Sequence, residues 1–255
     1  MKVHENDKYR YKQVEKELPK DEFLVEFLDE ITEFRSHVER VKNQYEQMRF
    51  KRENLEEGEV LAWMDFAENF TCSAMDEVQS AYWNPEMVTL HTMVIYFPDS
   101  YGKAHKSEEA VSDVLHHNAT MVYSIIKELI PFIKAEYPEF NTIHYLTDSP
   151  TSQYRNKTIF DILCMHKSDF DVSATWNYLE AGHGKGPCDG LGASVKRSAG
   201  LAIKQNKAVI QNASDFYSWS QNHMSESVVY FLFISQNNTT KVQKYYSWDQ
   251  QIFCQ

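Results

Sequence analysis

The stretch Gly182-His-Gly-Lys-Gly-Pro-Cys-Asp-Gly-Leu-Gly192 holds five of the eight glycines in a chain of 255 residues. Glycine carries a high backbone entropy and proline lacks an N–H donor, so this stretch cannot be a regular helix or strand throughout. The flanking patterns predict a tight corner between a strand over residues 172–179 and a helix over residues 193–205. Four side chains in or beside the corner can do chemistry: His183, Lys185, Cys188 and Asp189. Two interpretations stay open, a binding site and a turn whose glycines permit close packing.

The length and composition indicate a globular chain with a substantial core. A chain of 255 residues with 42% hydrophobic and 14% aromatic residues is not typical of disorder. It contains neither an apolar run long enough to cross a bilayer nor the apolar core of a signal peptide, so we expect an intracellular protein without a membrane partner. The four cysteines are scattered without a Cys-x-x-Cys pair, which indicates neither a disulfide framework nor a self-contained zinc site.

The formal net charge of −11 argues against a nucleic-acid partner, but the charge is unevenly distributed. Residues 182–210 carry five cations against the single acid Asp189. Contacts with phosphate depend on the local field, so this segment remains able to approach a nucleic acid.

The N-terminal quarter of the chain predicts a long helix over residues 21–52. Its apolar residues recur at alternating spacings of three and four: Leu24, Phe27, Ile31, Phe34, Val38, Val41, Tyr45 and Met48. Such a seam either pairs with another helix, for instance in a homodimer, or lies across the main domain. We therefore divide the chain into an N-terminal helical segment (1–55), a core (56–210) and a C-terminal helix and strand appended to the core (211–255).

The core alternates strand and helix patterns, which is typical of an α/β protein. Strands are predicted over residues 60–66, 70–75, 87–97, 142–147 and 172–179, with a loop over residues 98–107. Helices are predicted over residues 116–134 and 154–165, and after the glycine corner to residue 205; the first is expected to be capped by Ser112 or Asp113. This is the element order of the ribonuclease-H-like fold, with a mixed five-stranded sheet flanked by helices.

Three aspartates occupy distinctive places in this order. Asp65 lies near the end of the first strand, Asp148 follows the fourth, and Asp189 opens the helix after the fifth. If the first and fourth strands are neighbours, Asp65 and Asp148 meet, and the glycine corner can bring Asp189 to them. Converging carboxylates repel one another unless cations neutralise them, and hard ions such as Mg²⁺ or Mn²⁺ prefer oxygen ligands. Two such ions can promote phosphodiester cleavage. Other acids compete for this role: Glu68, Asp76, Asp113 and Glu180.

Several polar side chains near these acids could contact a nucleic acid. Lys185, Lys196 and Arg197 could each touch a backbone phosphate, although solvent exposure explains each equally well. Gln153 and Arg155 could contact DNA near Asp148. His183 and Cys188, with Cys164 and His166, could form a zinc site, but their spacing matches no closed motif and a locally satisfied polar role is favoured.

A set of motifs over residues 55–205 carries a family resemblance. The motifs are Trp63-Met-Asp-Phe-Ala-Glu-Asn69, Asp76-Glu-Val-Gln79, Trp83-Asn84, Thr89-Leu-His91, Tyr145-Leu-Thr-Asp148, Ser152-Gln-Tyr-Arg-Asn156, Gly182-His-Gly-Lys-Gly-Pro-Cys-Asp-Gly190 and Val195-Lys-Arg197. Together they resemble animal DDE-type transposase-like proteins with a ribonuclease-H-like catalytic core.

The resemblance implies a nuclease and strand transferase that acts on DNA in the nucleus. It implies an acidic triad of Asp65, Asp148 and Asp189 in a metal-dependent core, for which we expect two Mg²⁺ or Mn²⁺ ions. The residues that we expect to contact DNA are His183, Lys185, Lys196, Arg197, Gln153 and Arg155. Thr147-Asp148-Ser149 stands where relatives tend to have Ser-Asp-Gly, and His117-Asn118 where they tend to have His-Asp. The alternative expectation is a catalytically inactive, host-adopted module that binds protein or DNA.

Overall fold

The computed structural model describes most of the chain. The described residues are 2–5, 8–11, 15–73, 85–98, 105–180, 182, 184, 186–224, 229–237 and 239, with only the backbone described before residue 15. His183, Lys185 and the rival acid Asp76 lie outside these residues, so the predictions for them remain predictions. The chain forms two compact units, Met1–Asn43 and Gln44–Gln255.

The described elements alternate strands and helices. In chain order they are β1 (Lys2–Glu5), β2 (Lys8–Tyr11), α1 (Lys20–Glu53), β3 (Glu59–Phe66), β4 (Phe70–Thr71), β5 (Met87–Tyr96), β6 (His105–Ser112), α2 (Ala119–Glu136), β7 (Thr142–Thr147), α3 (Lys157–Phe170), β8 (Ser173–Tyr178), α4 (Pro187–Lys204), α5 (Ala213–His223) and β9 (Tyr230–Ile234). Strands β1 and β2 form an antiparallel pair in the first unit, so that unit is not purely helical. Their content of Val and Tyr suits a strand.

The second unit is an α/β structure built on a mixed sheet, as predicted. In the described residues this sheet has seven strands in the order β8-β7-β3-β5-β6-β9, with β4 paired to β5. Strand β3 runs antiparallel to β5 and parallel to β7, while β5 and β6 are antiparallel. Strands β7 and β8 are parallel, as are β6 and β9. The first and fourth predicted strands are therefore neighbours.

The prediction of five strands is wrong in two places. Of the expected strand over residues 70–75, Phe70 and Thr71 form β4 and residues 74 and 75 lie outside the described residues, while β6 lies where a loop was expected to extend to residue 107. Strand β6 was missed because Glu108 and Glu109 give it a polar sequence, yet both side chains are fully buried. Strand β9 joins the same sheet beside β6, so the C-terminal strand completes the core sheet.

The two faces of the sheet carry separate hydrophobic layers. One face packs against α2 and α3, and Val60, Ala62 and Met64 of β3 belong to this layer. On the other face, Trp63 of β3 packs with Leu146 and Cys188, and partly buried side chains of α1 cover this cluster. Because side chains alternate along a strand, Asp65 lies on the same face as Trp63.

Asparagine side chains cap the N-termini of three helices. Asn118, Asn156 and Asn212 each precede a helix and accept a hydrogen bond from the backbone N–H three residues further on, at 2.9–3.1 Å. These bonds satisfy donors that the first helical turn leaves open. The predicted cap at Ser112 or Asp113 is therefore wrong. Ser112 ends β6, and its hydroxyl donates to the backbone oxygen of Ile234 at 2.6 Å.

Candidate active site

The pairing of β3 with β7 brings Asp65 and Asp148 together. The parallel register ends with Trp63 opposite Leu146, and Asp65 and Asp148 each follow two residues later, at the same end of the two strands. Paired strands lie roughly 4.8 Å apart, and residues two apart share a face. Both carboxylates therefore lie at the carboxyl edge of adjacent parallel strands, on the face covered by α4.

Glycines let the chain before α4 pass close to this edge. A side chain at Gly184 would place its Cβ 2.6 Å from the Cβ of Asp148, and one at Gly186 would collide with the Trp63 ring. Asp189 then lies in the first turn of α4, where its Oδ2 accepts a hydrogen bond from the Gly186 N–H at 2.9 Å. The glycines thus have a packing role, one of the two interpretations that the sequence left open.

The three carboxylates interact electrostatically. Partial burial, together with the negative charges of Asp148 and Asp189, raises the pKa of Asp65 to about 7. Burial also raises the pKa of Asp148, with Asp189 as the second cause. Asp65 therefore lies within the field of Asp148 and Asp189, and Asp148 within that of Asp189.

A cleft of about 250 Å³ opens beside the acids. Its lining comes from the end of β3, from β5 and from α4, and consists of Asp65, Phe66, Ala67, Glu68, Thr92, Cys188, Asp189, Ala193 and Lys196. Asp189, Ala193 and Lys196 are spaced by one helical turn and so form one face of α4. The cleft runs from an acidic end at Asp65 and Asp189 to a cationic end at Lys196, whose Nζ is also 3.9 Å from Oε2 of Glu68.

A fourth carboxylate lies behind the cleft and was missed by the sequence analysis. Glu109 is fully buried opposite Thr92, whose hydroxyl is 3.2 Å from both carboxylate oxygens. Thr92 is in turn the cross-strand partner of Asp65. Burial raises the pKa of Glu109 to about 8, against the opposing effects of Thr92 and Lys196. The sequence contains no signal that would have placed Glu109, and not its neighbour Glu108, beside the acids of the cleft.

The predicted DNA contacts fall at different places. Lys196 is three-quarters buried and its Nζ donates to the backbone oxygen of Glu68 at 3.1 Å. Arg197 is exposed one residue further along α4. Arg155 is exposed and its guanidinium lies over the Tyr178 ring, 6.0 Å from the centroid. Gln153 is half-buried in the turn before α3. Of these residues, Lys196 is the one that lines the cleft.

The zinc alternative gains no support in the described residues. The Cys188 thiol is buried and donates to the Trp63 backbone oxygen at 3.2 Å, and burial raises its pKa well above the usual range. His166 is buried between the Tyr145 hydroxyl and the Val172 backbone oxygen, at 2.9 and 2.7 Å. Cys164 is exposed on α3. Cys188 and His166 therefore serve the local core, whereas His183 lies outside the described residues.

The donor chemistry of the acidic edge fits a hard divalent cation. Within the described part of the chain, Oδ1 of Asp148 is buried without a hydrogen-bond partner, which is costly for a carboxylate. A cation would satisfy this oxygen and remove the repulsion among the acids. As the side chains stand, no group of three His, Cys, Asp or Glu residues in the described ranges is arranged to hold a metal ion. Asp189 can offer its Oδ1 atom to a cation, because Oδ2 is the atom that accepts the hydrogen bond capping α4.

Replacing Gly186 by Ala tests the close approach of the glycine segment. The new Cβ would overlap the Trp63 ring, so we expect a loss of about 1–3 kcal/mol in the free energy of unfolding. Gly190→Ala is the matched control, because its Cβ meets open space within α4 and should add about 0.5–1 kcal/mol. Denaturant unfolding measures both changes. Equal effects of the two variants would show that Gly186 is not tightly packed.

Comparisons with known proteins identify the family of the chain. Neither a curated protein nor a solved structure matches it. Across the described helices, none combines the length and apolar character that a bilayer-crossing segment needs. A family model matches from residue 44, where the second compact unit also begins, to residue 251. The match spans most of the chain, which therefore belongs to the family of the domain of unknown function DUF8701.

Proposed function

We propose that the second unit is a ribonuclease-H-like, transposase-derived core that cleaves or joins DNA phosphodiester bonds with two Mg²⁺ or Mn²⁺ ions. The observation that carries this proposal is the meeting of Asp65 and Asp148 at the edge of β3 and β7, with Asp189 in the same electrostatic field. The mixed sheet supports the fold assignment, because its first and fourth core strands are neighbours.

The charge state of the acids supports a role in holding cations. Without a cation, the pKa of Asp65 is about 7, so its carboxyl group is only partly ionised near neutral pH. Asp65 and Asp148 would be the principal ligands, and Asp189 would contribute the oxygen that does not cap α4. Two bound ions supply the activation of a water or 3′-hydroxyl and the stabilisation of the leaving oxygen.

The cleft supplies the route for a DNA strand. Lys196 lies at the cationic end of the cleft, about two helical turns from Asp189, and its ammonium group can contact a backbone phosphate. Arg197 and Arg155 are exposed and can extend the phosphate contacts. His183 and Lys185 remain predicted contacts of the same kind. A protein that acts on chromosomal DNA belongs in the nucleus, and that location is part of the proposal.

Thermal unfolding with added metal tests the proposal. If Mg²⁺ or Mn²⁺ binds the folded protein alone, a concentration of about 100 times Kd stabilises it by about 2.7 kcal/mol, which raises Tm by about 5–10 °C. Asp148→Asn should remove this shift. Asp113→Asn, at an exposed loop acid, should retain it. A wild type without a metal-dependent shift and without nicking of supercoiled DNA would contradict the proposal.

A non-catalytic interaction module is the second candidate. One specific observation favours it: the first half of α1 exposes a row of large apolar side chains that the core does not require. The same metal titration separates the candidates, because an interaction module needs no cation. Pairing of two copies through α1 is compatible with either function.

A further inference from the structure

The first half of α1 presents an apolar surface to solvent. None of the residues of α1, all of which the structure describes, is buried. Seven large apolar side chains between residues 23 and 34 are 42–67% exposed, and six of them, all but Val25, follow the spacing of one helix face: Phe23, Leu24, Phe27, Leu28, Ile31 and Phe34. Apolar patches of this kind on a soluble surface mark interaction sites. We call this set the α1 stripe.

The spacing within the stripe suits a helical partner. Leu24, Phe27, Ile31 and Phe34 recur at three, four and three residues, and Val38 and Val41 continue the pattern as half-buried side chains. This is the seam of a two-stranded coiled coil. An amphipathic helix gains most of its stability when its apolar face packs against another element. A second helix can cover a stripe of this length.

The charges along α1 change sign beside the seam. Residues 21–33 carry six acids: Asp21, Glu22, Glu26, Asp29, Glu30 and Glu33. Residues 35–42 carry three cations, Arg35, Arg40 and Lys42, against one acid, Glu39. A parallel pair of identical helices would set the acidic segment of one copy against that of the other. An antiparallel pair sets it against the cationic segment, which favours that orientation.

We propose that two copies of this chain pair through their α1 helices in antiparallel orientation, with Phe34 near the twofold axis. In this register Ile31 faces Val38 of the second copy and Phe27 faces its Val41. The acidic segment over residues 21–33 then lies alongside the cationic segment over residues 35–42 of the second copy. A twofold dimer of this kind closes on itself, so it does not extend into fibres. The pairing goes beyond the nuclease proposal and does not rest on it.

Light scattering coupled to size exclusion tests the pairing. The wild type should be a dimer at micromolar concentration, and Phe27→Glu with Ile31→Glu should convert it to a monomer with an unchanged Tm of the core. Phe50→Glu is the matched control, since Phe50 is 64% exposed on α1 but outside the stripe, and it should leave the dimer intact. A monomeric wild type would overturn the proposal. A dimer that survives both stripe substitutions would place the interface elsewhere.

Cysteine cross-linking tests the orientation. In a Cys164→Ser, Cys254→Ser background, Phe34→Cys should form a disulfide between copies, because the position lies at the axis. Leu24→Cys should not, because antiparallel pairing separates the two copies of residue 24 by 20 positions, or about 30 Å along the helix. Efficient cross-linking at residue 24 would show parallel pairing and overturn the orientation.

Charge exchange gives a second test of orientation. The variant with Glu26→Lys and Glu33→Lys should pair with the variant that carries Arg35→Glu and Lys42→Glu in preference to either variant's self-pairing. In a parallel dimer the first variant would instead pair with the wild type, because lysines would face the acids at the same positions. That second result would contradict the antiparallel register.

Discussion

Asp65→Asn is expected to lower metal-dependent nicking of supercoiled DNA by about a thousandfold, while it makes the metal-free protein more stable. The first effect follows because a cation held between carboxylates contributes several kcal/mol to phosphodiester cleavage, and each 1.36 kcal/mol is a factor of ten in rate. The second follows because Asp65 is a half-buried carboxylate beside two others, and its pKa is raised to about 7.

The gain in stability has a defined pH window. The folded protein binds a proton at Asp65 up to pH of about 7, whereas the unfolded chain releases it near the ordinary value of 3.8. Metal-free stability therefore falls as the pH rises from about 4 to 7. Asparagine removes this loss, so we expect Asp65→Asn to be more stable by about 1–3 kcal/mol at pH 8 and unchanged near pH 4.

Denaturant unfolding at both pH values, with and without Mn²⁺, measures these effects. Asp161→Asn is the control, because this acid is exposed on α3 against the opposite face of the sheet, and neither nicking nor stability should change. An Asp65→Asn variant that keeps full nicking activity would refute the assigned role. A variant destabilised at pH 8 without metal would show that Asp65 makes favourable contacts instead of suffering repulsion.

Glu108→Met is expected to stabilise the protein by about 2–4 kcal/mol at pH 8 and by much less at pH 5. Glu108 is fully buried, and both its carboxylate oxygens are without a hydrogen-bond partner among the described residues. Burial raises its pKa to about 8; nearby Lys106 opposes this and Glu136 adds to it. Folding therefore requires a proton that the unfolded chain has already lost above the ordinary value of 4.5, so stability declines from about pH 4.5 to 8.

Thermal or denaturant unfolding across this pH range measures the effect. Methionine has a similar volume and needs no polar partner, so it should flatten this part of the pH dependence. Glu109→Gln should also flatten the pH dependence of stability, since the pKa of Glu109 is likewise raised to about 8. The glutamine can still accept the hydrogen bond from Thr92. Glu128→Gln, on the exposed side of α2, should leave the profile unchanged. A Glu108→Met variant less stable than the wild type at pH 8 would disprove a destabilising buried acid.

The fold was predictable from sequence wherever the apolar pattern is strong. Strand β3 contains the apolar run Val60–Met64, and β5 and β7 are rich in Val, Ile and Thr; all three strands were predicted within two residues. Strand β6 was missed because periodicity assumes that acids are exposed, whereas the sheet buries Glu108 and Glu109 on opposite faces. The start of α2 was misplaced because Ser112 is a good capping residue by type, yet tertiary pairing with β9 engages its hydroxyl.

For the candidate site, the sequence predicted which strands are neighbours. Asp65 and Asp148 were placed by the expectation that their strands are neighbours, which the register bears out. The capping bond between Asp189 and Gly186 depends on how the glycine segment turns, and spacing alone does not give this. Glu109 and Thr92 were missed because their place behind the cleft follows from cross-strand pairing with a strand that was not predicted.

Anomalous scattering from crystals grown with Mn²⁺ tests the cation site most directly. We expect a manganese peak at the carboxyl edge of β3 and β7, within bonding distance of Asp65 and of the Asp148 oxygen that lacks a partner. The Asp148→Asn protein, crystallised in the same way, should lose this peak. Well-ordered Asp65, Asp148 and Asp189 side chains with no manganese between them, at saturating Mn²⁺, would contradict the account.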